Sequence, residues 1–240
     1  MKTALISKAG GRKYNEDYCS YLEQDGYGCY VLADGLGGHR GGAVASQLIG
    51  ESITGAFQLS PGISADLLGA YLNKAQSEFL AAQKKDPALS GMKATLVLLL
   101  SGFNKAFWGH IGDSRLYVFR AGKVLIQTKD HSVPRHLVDS GEIREEQIRF
   151  HEDRNRLTRA FDGNSIERFE MTEKPLELLH GDALLLCTDG FWEYVLEKEM
   201  LADLAMSGDP ATWLDNMEKR LLKKAEQGHD NYSALAVINK

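Results

Sequence analysis

The chain has 240 residues, within the roughly 200 to 250 that a large sandwich or barrel reaches as one domain, so a single domain over 1–240 is expected. Apolar residues make up 43% and charged residues 25%, and the longest apolar stretches, such as residues 96–100, fall far short of the ~18 that a membrane helix needs, which argues against membrane insertion. A net charge of −5, with lysines and arginines scattered among acids, leaves no basic patch for nucleic acid.

In chain order, residues 3–7 read as a short strand; a second lysine and two glycines then break the run before a signal-peptide core can form, so a cytoplasmic protein is expected. Arg12-Lys13-Tyr14-Asn15-Glu16-Asp17 is a charged segment that, taken alone, is a solvated turn. A strand at 28–33 ends in Asp34-Gly35 and a glycine cluster, followed by helical periodicity at 43–57 and again at 65–82, where Leu68, Leu72, Ala75 and Phe79 form one stripe. Strands at 95–100 and 106–111 lead to Gly112-Asp113-Ser114, and further strands follow at 116–119 and 124–127. Residues 132–155 are polar and basic with helical hints only at 135–139 and 142–148, the mark of a functional loop or small flap beside an active site. The strand at 183–187 ends in Thr188-Asp189-Gly190, the helix at 211–225 carries Leu214, Met217 and Leu221, and Asp230-Asn231 precedes a last strand at 233–238. Helices after the first strands, then a run of strands, then helices again give an α+β fold with sheets between helical layers. Of the three cysteines, which cannot all pair, Cys29 and Cys187 lie in apolar runs as small buried thiols and fit a reducing compartment.

Aspartates therefore punctuate strand ends at Asp34, Asp113 and Asp189, and Asp230 stands just before a strand. Each alone is turn chemistry, but Asp34-Gly35 leads into a glycine-rich loop and Asp189-Gly190 into a helix-like stretch rather than a returning strand, and the set points to a shared site. Carboxylates gathered at one sheet edge need a cation, and an all-oxygen donor set suits Mg²⁺ or Mn²⁺. Two such ions can activate a bridging water and clamp the oxygens of a displacement at phosphorus, which indicates phosphoester hydrolysis. In that company Arg12, with its planar fork, becomes a natural phosphate clamp.

Seven motifs in order carry a resemblance: R-x-x-N-E-D at 12–17, D-G-x-G-G-H at 34–39, G-D-S-R at 112–115, D-H-S at 130–132, L-T-R-A at 157–160, C-T-D-G-x-W at 187–192 and D-N at 230–231. Singly weak and together specific, they make the chain similar to the metal-dependent serine/threonine protein phosphatases of the PPM family, or type 2C, in their small bacterial single-domain form. The resemblance implies a four-layer α-β-β-α sandwich with two central antiparallel sheets, a flap at about 132–155, and two Mn²⁺ or Mg²⁺ ions with a weaker third. It implies that Asp34 bridges both ions, that the Gly35 carbonyl completes one, that Asp189 and Asp230 hold the other, and that Glu16 and Asp17 act directly or through waters. It implies further that Arg12 binds the substrate phosphate and that Asp113, with Asp189, holds the third, more exposed ion. The expected substrates are phosphoproteins bearing phosphoserine or phosphothreonine, in signalling opposite a bacterial serine/threonine kinase.

The chain also departs from the family pattern. Leu36 stands where many animal members have a histidine proposed as general acid, and His39 comes later, so the acid is left open between His39 and other groups. Ala43 replaces a frequent Glu, Glu193 a frequent Asp, and Lys93-Ala94-Thr95 a common Thr-Thr pair. A cysteine-dependent phosphatase is excluded, because the residues six beyond Cys19, Cys29 and Cys187 are Asp25, Gly35 and Glu193 rather than arginine. A non-catalytic binding module would be expected to have lost Asp34, Asp189 or Asp230, and a two-metal nuclease lacks its basic groove.

Overall fold

The computed structural model describes residues 1–37, 41–163 and 168–240. One sheet is built from β1 (Lys2–Lys8), β7 (Arg115–Arg120), β8 (Lys123–Gln127), β11 (Ala183–Cys187) and β12 (Tyr232–Ile238), in the order β1-β12-β11-β7-β8. The other contains β2 (Asp17–Gln24), β3 (Tyr27–Leu36), β5 (Leu96–Gly102), β6 (Lys105–Ile111) and β10 (Leu176–Glu177), in the order β10-β6-β5-β3-β2. Two short strands extend it: β4 (Lys93–Ala94) on β3 and β9 (Glu170–Met171) on β6. All pairings are antiparallel.

The strands are apolar on both faces because both faces are covered, and their period of two sorts the side chains into three layers. Tyr30 and Leu32 of β3, Val97 and Leu99 of β5, Leu184 and Leu186 of β11, and Leu235 and Val237 of β12 meet between the sheets. The alternate residues Cys29, Val31 and Ala33 turn outward onto α1 (Gly41–Leu59) and α2 (Ala65–Lys85), through Ile49, Ile53, Leu72 and Phe79. On the opposite side Leu185, Cys187, Ala234 and Ala236 turn toward α5 (Glu197–Met206) and α6 (Pro210–Lys224), through Met200, Trp213, Met217 and Leu221. The result is a helix-sheet-sheet-helix stack, as expected. Ser64 and Asp209 start α2 and α6 by accepting hydrogen bonds from Leu67 and Thr212 amides.

Strand β2 and helix α5 extend the pattern read from sequence. The segment at 132–155 is also better ordered than its composition suggests: Ser132 caps α3 (Val133–Asp139), and a 3₁₀ turn spans Glu145–Phe150. Arginines fasten it, Arg135 to Glu145 within the segment and Arg149 to Glu197 on α5. Among the described residues, no helix is long and apolar enough to cross a membrane.

Candidate metal centre

The carboxylates singled out in the sequence come from both sheets and meet at one end of the stack. Asp17 opens β2 directly across from Asp34 on β3. Thr95, just before β5, grips the Asp34 peptide twice: its amide donates to Asp34 O at 2.8 Å, and its hydroxyl accepts the Asp34 amide at 3.1 Å. The same hydroxyl lies 2.7 Å from Ser114 Oγ, in the segment that crosses from β6 to β7 and hence from one sheet to the other. Asp113 sits in that crossover, its carbonyl accepting the Trp192 indole N–H at 2.9 Å. Asp189 heads the one-turn helix α4 (Asp189–Trp192) directly after β11, and Asp230 lies two residues before β12.

The N-terminal segment is tied to the same end by Asn231, whose Oδ1 accepts the Glu16 amide and whose Nδ2 donates to the carbonyls of Ala9 and Tyr14, each at 2.8 Å. Glu16 then reaches the cleft over Gly42: a Cβ there would stand 2.5 Å from Glu16 Oε2 and 2.6 Å from Gly35 O, so only glycine lets both approach. Arg12, Glu16, Asp34, Gly35, Asp113, Asp189 and Asp230 line a cleft of about 570 Å³, together with Asn155 at the end of the 132–155 segment and Leu157 just beyond it. Asp17 is not a lining residue and lies beneath, its Oδ2 accepting from Thr188 Oγ1 at 3.1 Å. Arg12 is placed beside the cleft but not free, pairing with Asp230 at 3.1 Å.

Electrostatically the cluster is strained. Burial, then the charges of Asp17, Asp189, Asp113 and Asp230, hold the Asp34 carboxyl well above its ordinary range. Burial pushes Asp17 up to about 7, with Asp189 and Asp230 adding to it, and pushes Asp189 up to about 6, with Asp230 next. Asp113 is likewise raised, first by burial and then by Asp189. It is 4% exposed, so its side chain is part of the cleft wall rather than of the outer surface. Among the described residues Asp17 Oδ1 is buried without a hydrogen-bond partner. An oxygen-only donor set, mutually repelling carboxylates and an orphaned carboxylate oxygen fit hard divalent cations.

Sequence reading missed the residues that aim these groups. Thr95 and Thr188 carry no charge; Thr188 stands next to Asp189 in its motif, whereas Thr95 is 61 residues from the Asp34 peptide that it holds. Asn231 belongs with them, since its side chain orients the backbone at Ala9, Tyr14 and Glu16. His39 lies outside the described residues.

Comparison with known proteins places these features in context. The profile of the family described as protein phosphatase 2C matches residues 7–230. The serine/threonine protein phosphatase PstP of Mycobacterium tuberculosis is 37% identical over 177 residues, covering 72% of this chain and 34% of PstP, so the chain spans about a third of that relative's length. The serine/threonine phosphatase stp of Listeria monocytogenes is 30% identical over 195 residues, 79% of this chain and 77% of that protein. The crystal structure of the PstP catalytic domain in complex with two manganese ions superposes with a TM-score of 0.86 at 30% identity, covering 100% of this chain and 98% of that one.

Proposed function

The chain belongs to the protein phosphatase 2C family, and from that premise we propose that it hydrolyses phosphoserine and phosphothreonine esters of proteins. The observation that carries the reading is the set of buried, mutually repelling carboxylates gathered beside an arginine in one cleft. In this reading Asp34, the Gly35 carbonyl, Asp189 and Asp230 would hold two Mn²⁺ or Mg²⁺ ions. Glu16 and Asp17 contribute directly or through water, and Asp113 with Asp189 offers a weaker third position. When bound, such ions supply an activated water and neutralise charge on the phosphoryl group.

The chain's own residues do the rest. Arg12 orients the phosphate by charge-assisted hydrogen bonds, exchanging Asp230 for the substrate. That exchange is cheap, because the side chains of the pair are 55% and 46% exposed and an ion pair in water contributes little. Residues 132–155 act as the flap: the segment ends on the cleft at Asn155 and is held to Glu193 by Arg154 at 2.8 Å, where it would meet the polypeptide around the phosphoresidue. Phosphoproteins are the proposed partners, in cytoplasmic signalling opposite a bacterial serine/threonine kinase.

The test is hydrolysis of an aryl phosphate and a phosphothreonine peptide by purified protein, after chelation and after adding back Mn²⁺, Mg²⁺ or Ca²⁺. Stripped protein should be inactive and recover with Mn²⁺ or Mg²⁺, whereas Ca²⁺, with longer bonds and looser geometry, should support little turnover. Full turnover in excess chelator, or none with Mn²⁺, overturns the reading.

A further inference from the structure

Behind the wall that carries Asp113, two imidazoles lie stacked: His110 on β6 and His131 just before α3, with ring centroids 4.9 Å apart and planes 7° from parallel. Both residues are buried, and Glu170 on β9 reaches them from the surface. One donor atom from each lies within 4.8 Å of the others, which is the look of a His-His-Glu cation site. The hydrogen bonds say otherwise. The Gly112 amide lies 3.1 Å from His131 Nδ1, and a backbone N–H only donates, so Nδ1 is the acceptor and the neutral ring carries its proton on Nε2. That proton faces Glu170 Oε1 at 3.3 Å. His110 Nε2 is 2.9 Å from the Lys129 carbonyl and is occupied as its donor. A cation taking both Nε2 atoms would need the His131 proton removed and the Lys129 carbonyl abandoned.

The same bonds have a different object. His131 holds Gly112 from two sides, its ring accepting the Gly112 amide and its own amide donating to Gly112 O at 2.8 Å. Gly112 has a φ of +99°, and a Cβ there would stand 2.6 Å from Thr95 Cγ2, so the position carries no side chain with which to anchor itself. The Trp192 indole fixes the Asp113 carbonyl from the other direction. We propose that His131 and Glu170 are positioning residues for Asp113: Glu170 sets the tautomer and plane of the His131 ring, and His131 sets the Gly112–Asp113 peptide that aims the Asp113 carboxylate into the cleft. His110, stacked on the ring and bound to Lys129, keeps it from tilting. This rests on the reading that Asp113 acts in the cleft.

The experiment has two arms. In metal-free protein, imidazole ¹⁵N shifts should show His131 neutral with its proton on Nε2. Gly112 amide exchange should quicken by about 10-fold or more in His131→Phe, the expected cost of one buried hydrogen bond. His131→Asn, whose Oδ1 replaces Nδ1 as acceptor, should recover most of that protection. If Asp113 serves protonation of the leaving group, Asp113→Ala should lose more kcat on phosphopeptide, whose alkoxide leaving group needs that proton, than on aryl phosphate, whose leaving group is a weaker base; in Mn²⁺-loaded protein His131→Phe should show the same selectivity, and the double variant should be no slower than Asp113→Ala. If His131→Phe does not fold, Glu170→Ala carries the tautomer arm. A proton on Nδ1, unchanged Gly112 exchange, equal losses on both substrates, additive losses in the double variant, or His131 shifts that titrate with Zn²⁺ overturn the proposal. An inactive parent protein would refute the phosphatase reading, and the NMR arm would still decide this one.

Discussion

Arg12 contacts Asp230 at 3.1 Å, so the residue proposed to bind the phosphate is already engaged by a carboxylate proposed to hold a cation. Arg12→Ala should raise KM for a phosphopeptide and lower kcat/KM by about 10-fold or more, the value of a charge-assisted contact of roughly 1.5 to 3 kcal/mol. Mn²⁺ affinity by calorimetry should stay near that of the parent, and unchanged phosphopeptide kinetics would show that Arg12 is only a surface charge. At this scale the sequence is most legible where chemistry and motif coincide: Arg12, Asp34, Asp189 and Asp230 each sit in a short pattern, and all four line the one cleft. Thr95 was not legible, because its significance is a hydrogen bond to the Asp34 peptide 61 residues away. The setting of Asp113 escaped for the same reason, since the indole that fixes its carbonyl comes from Trp192, 79 residues away.

Segment 9–16 has little packing of its own and is positioned by Asn231, which is 7% exposed and makes three hydrogen bonds to its backbone. Asn231→Ala should therefore cost about 2 kcal/mol or more by leaving buried backbone groups unpaired, read as a lower midpoint of urea unfolding. It should also weaken Mn²⁺ binding, because Glu16 loses its anchor; a variant with parental stability and affinity would free the segment from this account. The helices with a clear apolar stripe, α1, α2 and α6, could be read in advance because their period is local. Strand β2 could not, since its DYCSYLEQ sequence is half-buried along most of its length and gives no clean alternation. Helix α5 hides behind acidic and basic residues whose partners, such as Arg220 for Asp203, come from α6.

The molecule as a whole stores charge repulsion at one end of its two sheets. Asp17 and Asp189, raised to about 7 and about 6, hold more protons folded than unfolded at intermediate pH. Their contribution to stability is therefore fully present below the unfolded carboxylate range near pH 4 and is lost as pH rises through 6 to 7. Buried His110 and His131, lowered by burial, work in the opposite sense and are common to both metal states. The increase in Tm on adding Mn²⁺ should thus grow from pH 5 to pH 8, and an increment that is flat or shrinks with pH would contradict it. The fold class was readable because apolar strands and striped helices need a stacked arrangement; the pairing order, and the crossover from β6 to β7 at Asp113, depend on contacts far apart in sequence. Asp17 and Asp34 ride on one sheet, while Asp189 and Asp230 belong to the ends of strands in the other. Any ligand that engages all four would act as a staple across the seam, so that sliding of one sheet over the other becomes a motion the bound cations resist.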